Sequence, residues 1–116
     1  MSFHYLASPY SAHPDGMEHA YRDACAAAAL LIRAGVPVFS PIAHSHGIAE
    51  IGGIDPASHA IWLPADAPMM RAAMGLIVLQ LPGWDMSIGV AAEIAEFRLA
   101  GKPVRYMTPG VVPALD

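Results

Sequence analysis

The stretch Leu76–Glu93, LIVLQLPGWDMSIGVAAE, decides the fold that we predict for this chain. Its apolar run Leu76–Leu81 is typical of a buried strand, and the Pro-Gly pair that follows ends the strand. An alanine-rich helix comes next, with Ser87 and Gly89 at its mouth and Glu93 about one turn inside it. In α/β proteins, ligands often bind at the N-terminus of a helix that follows a buried strand, so this stretch also predicts where a site lies.

The rest of the chain alternates in the pattern of a parallel sheet with helices on both faces. Apolar runs predict further strands at Phe3–Ala7, Val36–Phe39 and Pro103–Met107. A first helix is predicted to start at Asp15 or Gly16 and to stop at Gly35, a second to start at Asp66, and a third to run from just after Asp85 to Ala100. Ile42–His59 shows no clear periodicity and receives no assignment, and the tail from Thr108 is predicted to be irregular or a final edge strand.

Polar loops follow three of the predicted strands, after Ala7, Phe39 and Leu81. The carboxyl ends of parallel strands meet at one edge of a sheet, so these loops are expected to come together there. One pocket at that edge is the site that we predict.

Length and composition indicate one domain that associates with copies of itself. The 116 residues are enough for one hydrophobic core and too few for two, so residues 1–116 are treated as a single domain. Hydrophobic residues make up 55% of the chain and charged residues only 14%, so part of the surface is expected to be apolar. A homodimer or higher homo-oligomer would cover such a surface.

Charge and cysteine content argue against several classes of partner. The formal charge is −4 and the six Lys and Arg residues are scattered singly, so the chain lacks the basic stripe that a DNA or RNA polymer requires. The longest apolar run, Cys25–Ile32, has eight residues, well short of the roughly 20 that span a bilayer. A single cysteine and no signal peptide favour a reducing compartment, so we expect a cytoplasmic protein without a membrane partner.

Two carboxylates are the candidates for chemistry. Glu93 lies in a helix that is apolar on nearly every side, which is typical of a group at the edge of a cleft, although an exposed stripe shared with Glu96 explains it equally well. Asp66 begins a predicted helix near the same edge, where an ordinary N-cap is the more common role. Ser87 could hold a phosphate or a sugar hydroxyl, and capping alone would also explain it.

Histidines and tryptophans support weaker interpretations. His44 and His46 share no helical face and have no cysteine pair nearby, so no metal site is predicted. Both are interpreted as loop or core histidines, with contact between His46 and a ligand as an alternative. Trp62 and Trp84 are interpreted as core or subunit contacts, except that Trp84 could form a wall for a purine or pyrimidine.

Motifs spread over nearly the whole chain carry a family resemblance. They are Tyr-Leu-Ala-Ser-Pro-Tyr-Ser at Tyr5–Ser11, Phe-Ser-Pro-Ile at Phe39–Ile42, Leu-Pro-x-Asp at Leu63–Asp66, Pro-Gly-Trp-x-x-Ser-x-Gly-Val-x-x-Glu at Pro82–Glu93, and Gly-Lys-Pro-Val at Gly101–Val104. Together they resemble a small family of the DUF1937 type. That family is similar to the nucleoside 2-deoxyribosyltransferases and the 2′-deoxynucleoside 5′-phosphate N-hydrolases.

This resemblance implies a flavodoxin-like (Rossmann-like) sheet of about five strands and an enzyme that needs no cofactor. The partner would be a small-molecule nucleoside or nucleotide, cleaved or transferred at its N-glycosidic bond. Glu93 would be the nucleophile or the carboxylate facing C1′, and Asp66 would orient the substrate or pass a proton to the leaving base. The substrate-binding residues implied are Tyr5, Ser8, Pro9, Tyr10, Trp84, Ser87 and Gly89, with His46 added as a loop histidine.

Several alternatives stay open. Hydrolysis and transfer cannot be separated, and phosphate specificity is undecided because no arginine lies in Ser8–Ser11. A nucleotide-binding or sensing module of the same fold is the main alternative. The enzymes that the chain resembles usually carry an Asp just before the central strand. This chain reads Ala73-Met74-Gly75 there, and the missing Asp slightly favours the binding module. A structural oligomer with a vestigial pocket is the third.

Overall fold

The computed structural model describes residues 2–115, which contain four strands and four α-helices. The strands are β1 (His4–Ala7), β2 (Val38–Phe39), β3 (Gly75–Leu79) and β4 (Val104–Met107). The helices are α1 (Met17–Arg33), α2 (Pro41–Gly52), α3 (His59–Ala72) and α4 (Ile88–Leu99), and a short 3₁₀ turn at Trp84–Met86 precedes α4. Two helices, rather than the single predicted one, separate β2 from β3.

All the strands are parallel and lie in the order β2–β1–β3–β4. At the centre of the sheet, Tyr5 on β1 pairs with Leu76 on β3. The predicted count of about five strands is wrong for residues 2–115, which contain four. The described tail after β4 is irregular. Pro109 and Pro113 have no amide proton to donate to a neighbouring strand, so a fifth strand is disfavoured there.

Helices cover both faces of the sheet, as its buried parallel strands require. Successive residues of a strand point to opposite faces, so β1 and β3 contribute to two separate cores. One core contains Tyr5, Leu76 and, from α4, Phe97. The other contains Leu6 and, from α1, Leu31. The sheet, packed on both faces by these cores, positions the loops that follow the carboxyl ends of its strands.

The helix α2 lies in the segment that the sequence left without an assignment. Ser40 begins it by accepting a hydrogen bond from the Ala43 amide at 3.1 Å. Pro41 occupies the first helical position, where no amide donor is needed. The Ser-Pro pair was therefore a usable start signal, and the weak apolar periodicity after it concealed the helix.

The helix α3 begins after Ser58 and not at Asp66, so the predicted start is wrong and Asp66 lies inside the helix. Pro64 and Pro68 also lie within α3. Each proline removes one helical hydrogen bond, which is why the sequence favoured a later start with Pro68 in the first turn. None of the residues of α3 is buried.

Some large apolar side chains remain exposed outside the two cores. The most exposed are Ile51, Leu99, Met86 and Ile88, between 78% and 92%. Such exposure agrees with the composition, and the expected homo-oligomer stays a prediction. Among residues 2–115, no helix is both long enough and apolar enough to cross a membrane.

Gly83 joins the loops that follow β1 and β3. Its φ is +89°, a backbone conformation that L side chains rarely adopt. A Cβ atom at this position would overlap the carbonyl oxygen of Ala12, in the loop after β1. Only glycine fits at this contact, which fixes the spacing of the two loops.

We expect Gly83→Ala to lower the free energy of unfolding by more than the matched change Gly110→Ala. Gly110 also has a positive φ, +84°, but no non-neighbouring atom of residues 2–115 lies within 4 Å of the position its Cβ would take. The control therefore costs the backbone strain alone, about 1–2 kcal/mol, whereas Gly83→Ala adds an overlap worth about 1–3 kcal/mol. Urea unfolding followed by circular dichroism would measure both; equal losses would show that the loops yield easily.

Candidate active site

A cleft of about 270 Å³ opens at the carboxyl ends of the strands. Its walls come from the loops after β1 and β3, the first turns of α2 and α4, and α3 with the segment before it. The polar and aromatic lining residues are Tyr5, Ser8, Tyr10, Ser11, Ser45, Ser58, His59, Trp62, Asp66, Ser87 and Glu93. No Lys or Arg of the described chain lines it.

Most residues predicted for the site lie in this one cleft. Those that line it are Tyr5, Ser8, Tyr10, Asp66, Ser87, Gly89 and Glu93. Pro9, Trp84 and His46 are not among its lining residues in the described chain. The roles of all these residues in binding or catalysis stay predictions.

The three predicted residues outside the cleft have other contacts. Pro9, in the loop after β1, is fully buried. Trp84 packs edge-on against Tyr106, with ring centroids 5.7 Å apart, so the structure does not bring it to the place where a base would lie. His46 lies behind Tyr10 and forms a hydrogen bond with it.

Glu93 is held by α4 at the border of two cavities. Ser87 begins α4 by accepting a hydrogen bond from the Val90 amide at 3.2 Å, so the capping interpretation of Ser87 is correct, and the residue lines the cleft as well. Glu93 lines the cleft and also a larger groove of about 720 Å³ between α3 and α4. The apolar helix that carries it leaves its carboxyl group poorly hydrated.

The pKa of Glu93 is raised to about 8. Burial is the main cause, because it penalises the charged form. The nearby Tyr5 hydroxyl opposes the rise, and the negative charge of Asp66 adds to it. Although part of the residue's surface remains accessible, its carboxyl group behaves as a buried one. A pKa of about 8 favours the protonated form of Glu93 at neutral pH.

Asp66 faces the same cleft from α3. Burial raises the pKa of its carboxyl group, and the interaction with His44 opposes that rise. Asp66 in turn affects the pKa of Glu93, so the two groups act on each other electrostatically. Paired carboxyl groups whose environments perturb their pKa values are typical of acid–base sites.

Tyr5 places a phenol group beside Glu93. Its ring is fully buried between Phe39 and Phe97, with ring centroids 5.7 Å away in each case. Burial, followed by the charges of Glu93 and Asp66, raises the pKa of Tyr5, so the hydroxyl stays protonated. The hydroxyl lies near Glu93 but forms no hydrogen bond of good geometry within the described chain. Contacts of this kind in ligand-free sites often tighten when substrate binds.

Ser8 supplies a second unpaired hydroxyl. Its Oγ atom is buried and has no hydrogen-bond partner among the described residues, and Ser8 lines the cleft. Leaving a buried polar group unpaired costs about 1–3 kcal/mol. The cleft thus holds two buried hydroxyls, those of Tyr5 and Ser8, that a polar ligand could satisfy.

The loop after β1 is fastened to α1 by His13. The Asp15 amide donates to His13 Nδ1 at 3.1 Å, so Nε2 carries the proton and donates to Asp23 at 3.0 Å. His13, Asp15 and His19 also bring three possible metal ligand atoms within 4.8 Å of one another. Because both ring nitrogens of His13 already form hydrogen bonds, loop anchoring explains this group and we assign it no metal.

Sequence reasoning missed part of the cleft wall. Trp62 was interpreted as a core or subunit contact, whereas its ring lines the cleft and its Nε1 donates to the Asp55 carbonyl at 3.0 Å. Ser45 was missed because α2 was not predicted. Ser40, followed by a proline, was the available signal for α2, and no comparable signal marked Trp62.

The fold and the site define a class: an α/β protein with two carboxyl groups in a cleft at the carboxyl edge of a parallel sheet. Residues 2–109 match the family model described as Domain of unknown function (DUF1937), and the chain belongs to that family. The family predicted from the motifs is thereby confirmed. No curated protein matches the chain. The further similarity to nucleoside 2-deoxyribosyltransferases stays a prediction.

We expect the wild-type protein to lose stability as pH rises from about 4.5 to about 8, and Glu93→Gln to lose less. The folded pKa of Glu93 is about 8 against an ordinary 4.5, so in this window the unfolded chain releases a proton that the folded protein retains. The protonated carboxyl group contributes stability below this window, and on the order of a few kcal/mol is lost across it.

Melting temperatures at pH 5 and pH 9 would test this linkage. Glutamine has the shape of the protonated side chain and does not titrate, so the two proteins should melt at similar temperatures at pH 5. At pH 9 the variant should melt higher. A parallel decline in both proteins would show that the carboxyl group of Glu93 is well hydrated.

Proposed function

We propose that the cleft binds a nucleoside or nucleotide and that the protein cleaves or transfers its N-glycosidic bond, with Glu93 as the carboxylate facing C1′. The observation that carries the proposal is that Glu93 and Asp66 line one cleft, beside the unpaired hydroxyl of Tyr5. Breaking a glycosidic bond requires a carboxylate next to a cationic sugar carbon and an acid for the leaving group. Two interacting carboxyl groups supply both.

The proposed reaction has two balanced steps. In the first, an oxygen of ionised Glu93 forms a bond to C1′ while the C1′–N bond breaks, and the base leaves with the electron pair and a proton from Asp66. In the second, water or another base attacks C1′, the ester to Glu93 breaks, and the proton of the attacking group passes to Asp66. Water gives hydrolysis, and a second base gives transfer.

Glu93 must lose its proton before it can attack. Burial opposes this loss, whereas a hydrogen bond from the Tyr5 hydroxyl favours the ionised form. We propose that substrate binding aligns that hydrogen bond, so Tyr5 assists the reaction by stabilising the carboxylate of Glu93. Asp66 would then take up the proton that it later gives to the base.

An uncharged nucleoside fits the cleft better than a 5′-phosphate. No Lys or Arg of the described chain lines it, whereas two carboxyl groups do. A phosphate would meet these acids with backbone amides at the starts of the neighbouring helices, and no cationic Lys or Arg side chain, to compensate its charge. We therefore propose that nucleosides are the preferred substrates.

A second candidate is a nucleotide-binding or sensing module without turnover. The raised pKa of Glu93 favours it, because a protonated carboxyl group at neutral pH can donate a hydrogen bond to a bound base without attacking C1′. Met74, which the sequence analysis connected with this alternative, does not line the cleft. Its position therefore gives the sensing module no further support.

We further propose that the sheet is of the flavodoxin-like type. Its order β2–β1–β3–β4 agrees with the first four strands of that fold. The apolar composition and the exposed side chains support a homo-oligomer, and the single cysteine supports a cytoplasmic location.

We expect the purified protein to release free base from at least one deoxynucleoside, and Glu93→Gln to slow this by about 10³-fold or more. Glu96→Gln is the matched control, because Glu96 lies one turn further along α4 and lines the α3–α4 groove but not the cleft. Chromatography of nucleosides incubated with each protein would measure the release. No release, together with a rise in melting temperature on adding a nucleoside, would favour the sensing module.

We expect kcat/KM for base release to fall as pH rises through about 8, because the reaction uses the single proton that the Glu93–Asp66 pair holds in the free protein. Tyr5→Phe removes the hydroxyl that lowers this pKa, so the fall should move to higher pH. The pH profiles of the two proteins would test both expectations. A rate that keeps rising through pH 8 would show that both carboxyl groups react in their ionised forms, and would exclude Asp66 as the proton donor.

A further inference from the structure

Three side chains form a hydrogen-bonded triad behind the wall of the cleft. The Tyr10 hydroxyl lies 2.6 Å from Nδ1 of His46, and Nε2 of His46 lies 2.8 Å from a carboxylate oxygen of Glu18. Tyr10 lines the cleft, and the Glu18 side chain is 61% exposed. The Tyr10–His46–Glu18 triad therefore leads from the cleft to solvent.

The ring of His46 is held between α1 and α2. It stacks on Tyr21 of α1, with ring centroids 4.2 Å apart and an angle of 15° between the planes. Glu50, one turn further along α2, lies 3.7 Å from the same Nε2. Arg22 pairs with Glu18 at 3.4 Å and so holds that carboxylate in place. Both carboxylates that contact the ring thus approach Nε2.

These contacts determine the direction of each hydrogen bond. An ionised carboxylate only accepts, so Nε2 of a neutral ring carries the proton and donates it to Glu18. Nδ1 is then an acceptor, and the Tyr10 hydroxyl must donate to it. Burial, with the charges of Glu18 and Glu50, raises the pKa of Tyr10, so this hydroxyl keeps its proton.

We propose that the triad presents the Tyr10 oxygen to the cleft as a hydrogen-bond acceptor and thereby selects ligands with an N–H or O–H group at that point. Tyr10 has one hydroxyl proton, and it is already donated in the hydrogen bond to Nδ1 of His46. A ligand carbonyl facing the same oxygen would place two acceptors against each other, leaving a polar group unpaired. Tyr10 thus becomes a specificity-determining residue, and His46 and Glu18 become positioning residues.

The inference rests on the proposed function for the identity of the ligand, and two kinds of donor are possible. An exocyclic amine distinguishes deoxyadenosine from deoxyinosine and deoxycytidine from deoxyuridine. A sugar hydroxyl is shared by all four and is absent from their 5′-deoxy or 3′-deoxy analogues. Comparison of these ligands separates a donor on the base from a donor on the sugar.

The first experiment needs no ligand. Nitrogen-15 NMR of the histidine rings, with the His46 signals assigned by their absence from His46→Asn, should show the tautomer with the proton on Nε2. A proton on Nδ1 would overturn the proposal, because the Tyr10 hydroxyl would then be free to donate to the cleft. This readout does not depend on nucleoside cleavage.

The second experiment measures nucleoside binding by calorimetry in a Glu93→Gln background, which prevents turnover. Ligands with the donor should bind about tenfold more tightly than their matched analogues. Tyr10→Phe should reduce this preference to less than about twofold, and Tyr106→Phe, a tyrosine outside the cleft, should leave it unchanged. His46→Asn retains an amide oxygen able to accept from Tyr10 and should keep part of the preference, whereas His46→Leu should lose it.

The outcomes separate this inference from the function on which it rests. Equal binding of every matched pair, with an unchanged pattern in Tyr10→Phe, would overturn the selective role of Tyr10. If no nucleoside binds while the NMR spectrum shows the Nε2 proton, the proposed function fails and the assigned polarity of Tyr10 is still supported.

Discussion

The parallel pairing of β1 with β3 is the constraint on which the rest of the structure depends. Every residue of both strands is buried, and the strands pack so closely that a Cβ on Gly75 of β3 would lie 3.3 Å from the ring of His4, its partner on β1. Because both strands run in the same direction, the loops that follow them emerge side by side. The contact between Gly83 and Ala12 is the direct result, and the cleft is the space beside it.

The cleft contains groups that work against the stability of the fold. A carboxyl group with a pKa of about 8 and the unpaired hydroxyls of Tyr5 and Ser8 would all be more stable in water. The two apolar cores on either face of the sheet offset this cost. Such concentration of unfavourable polar groups around one concave region supports a site that is completed by a ligand.

Sequence patterns predicted the centre of the molecule better than its edges. Leu76–Leu81 and the helix around Glu93 were predictable because a buried strand and an apolar helix leave strong local signals. The start of α3 was wrong because proline is a local signal of a helix start, whereas the tertiary structure tolerates Pro64 and Pro68 inside the helix. Local patterns also cannot show that Glu18 reaches His46 across 28 positions of the chain. Pairings of that kind exist only once α1 and α2 have packed.

The two carboxyl groups of the cleft are anchored in different ways. Glu93 is carried by α4, which packs its Val90 and Phe97 into a core, whereas Asp66 is carried by α3, which has no buried residue. Lys102 holds the end of α3 by donating to the carbonyl oxygens of Met70 and Arg71, at 3.1 and 2.6 Å. A cation there also favours the helix C-terminus electrostatically.

The separation of two carboxyl groups governs how a glycosidic bond is cleaved. In the reaction that we propose, that separation depends on how firmly α3 is held against α4. Lys102 lines the α3–α4 groove but not the cleft. Glu93 lines both cavities. Lys102 of the sequence motif therefore has a structural role at a distance from the cleft. It fixes the helix that carries Asp66, and so it positions one carboxyl group relative to the other without contacting a ligand.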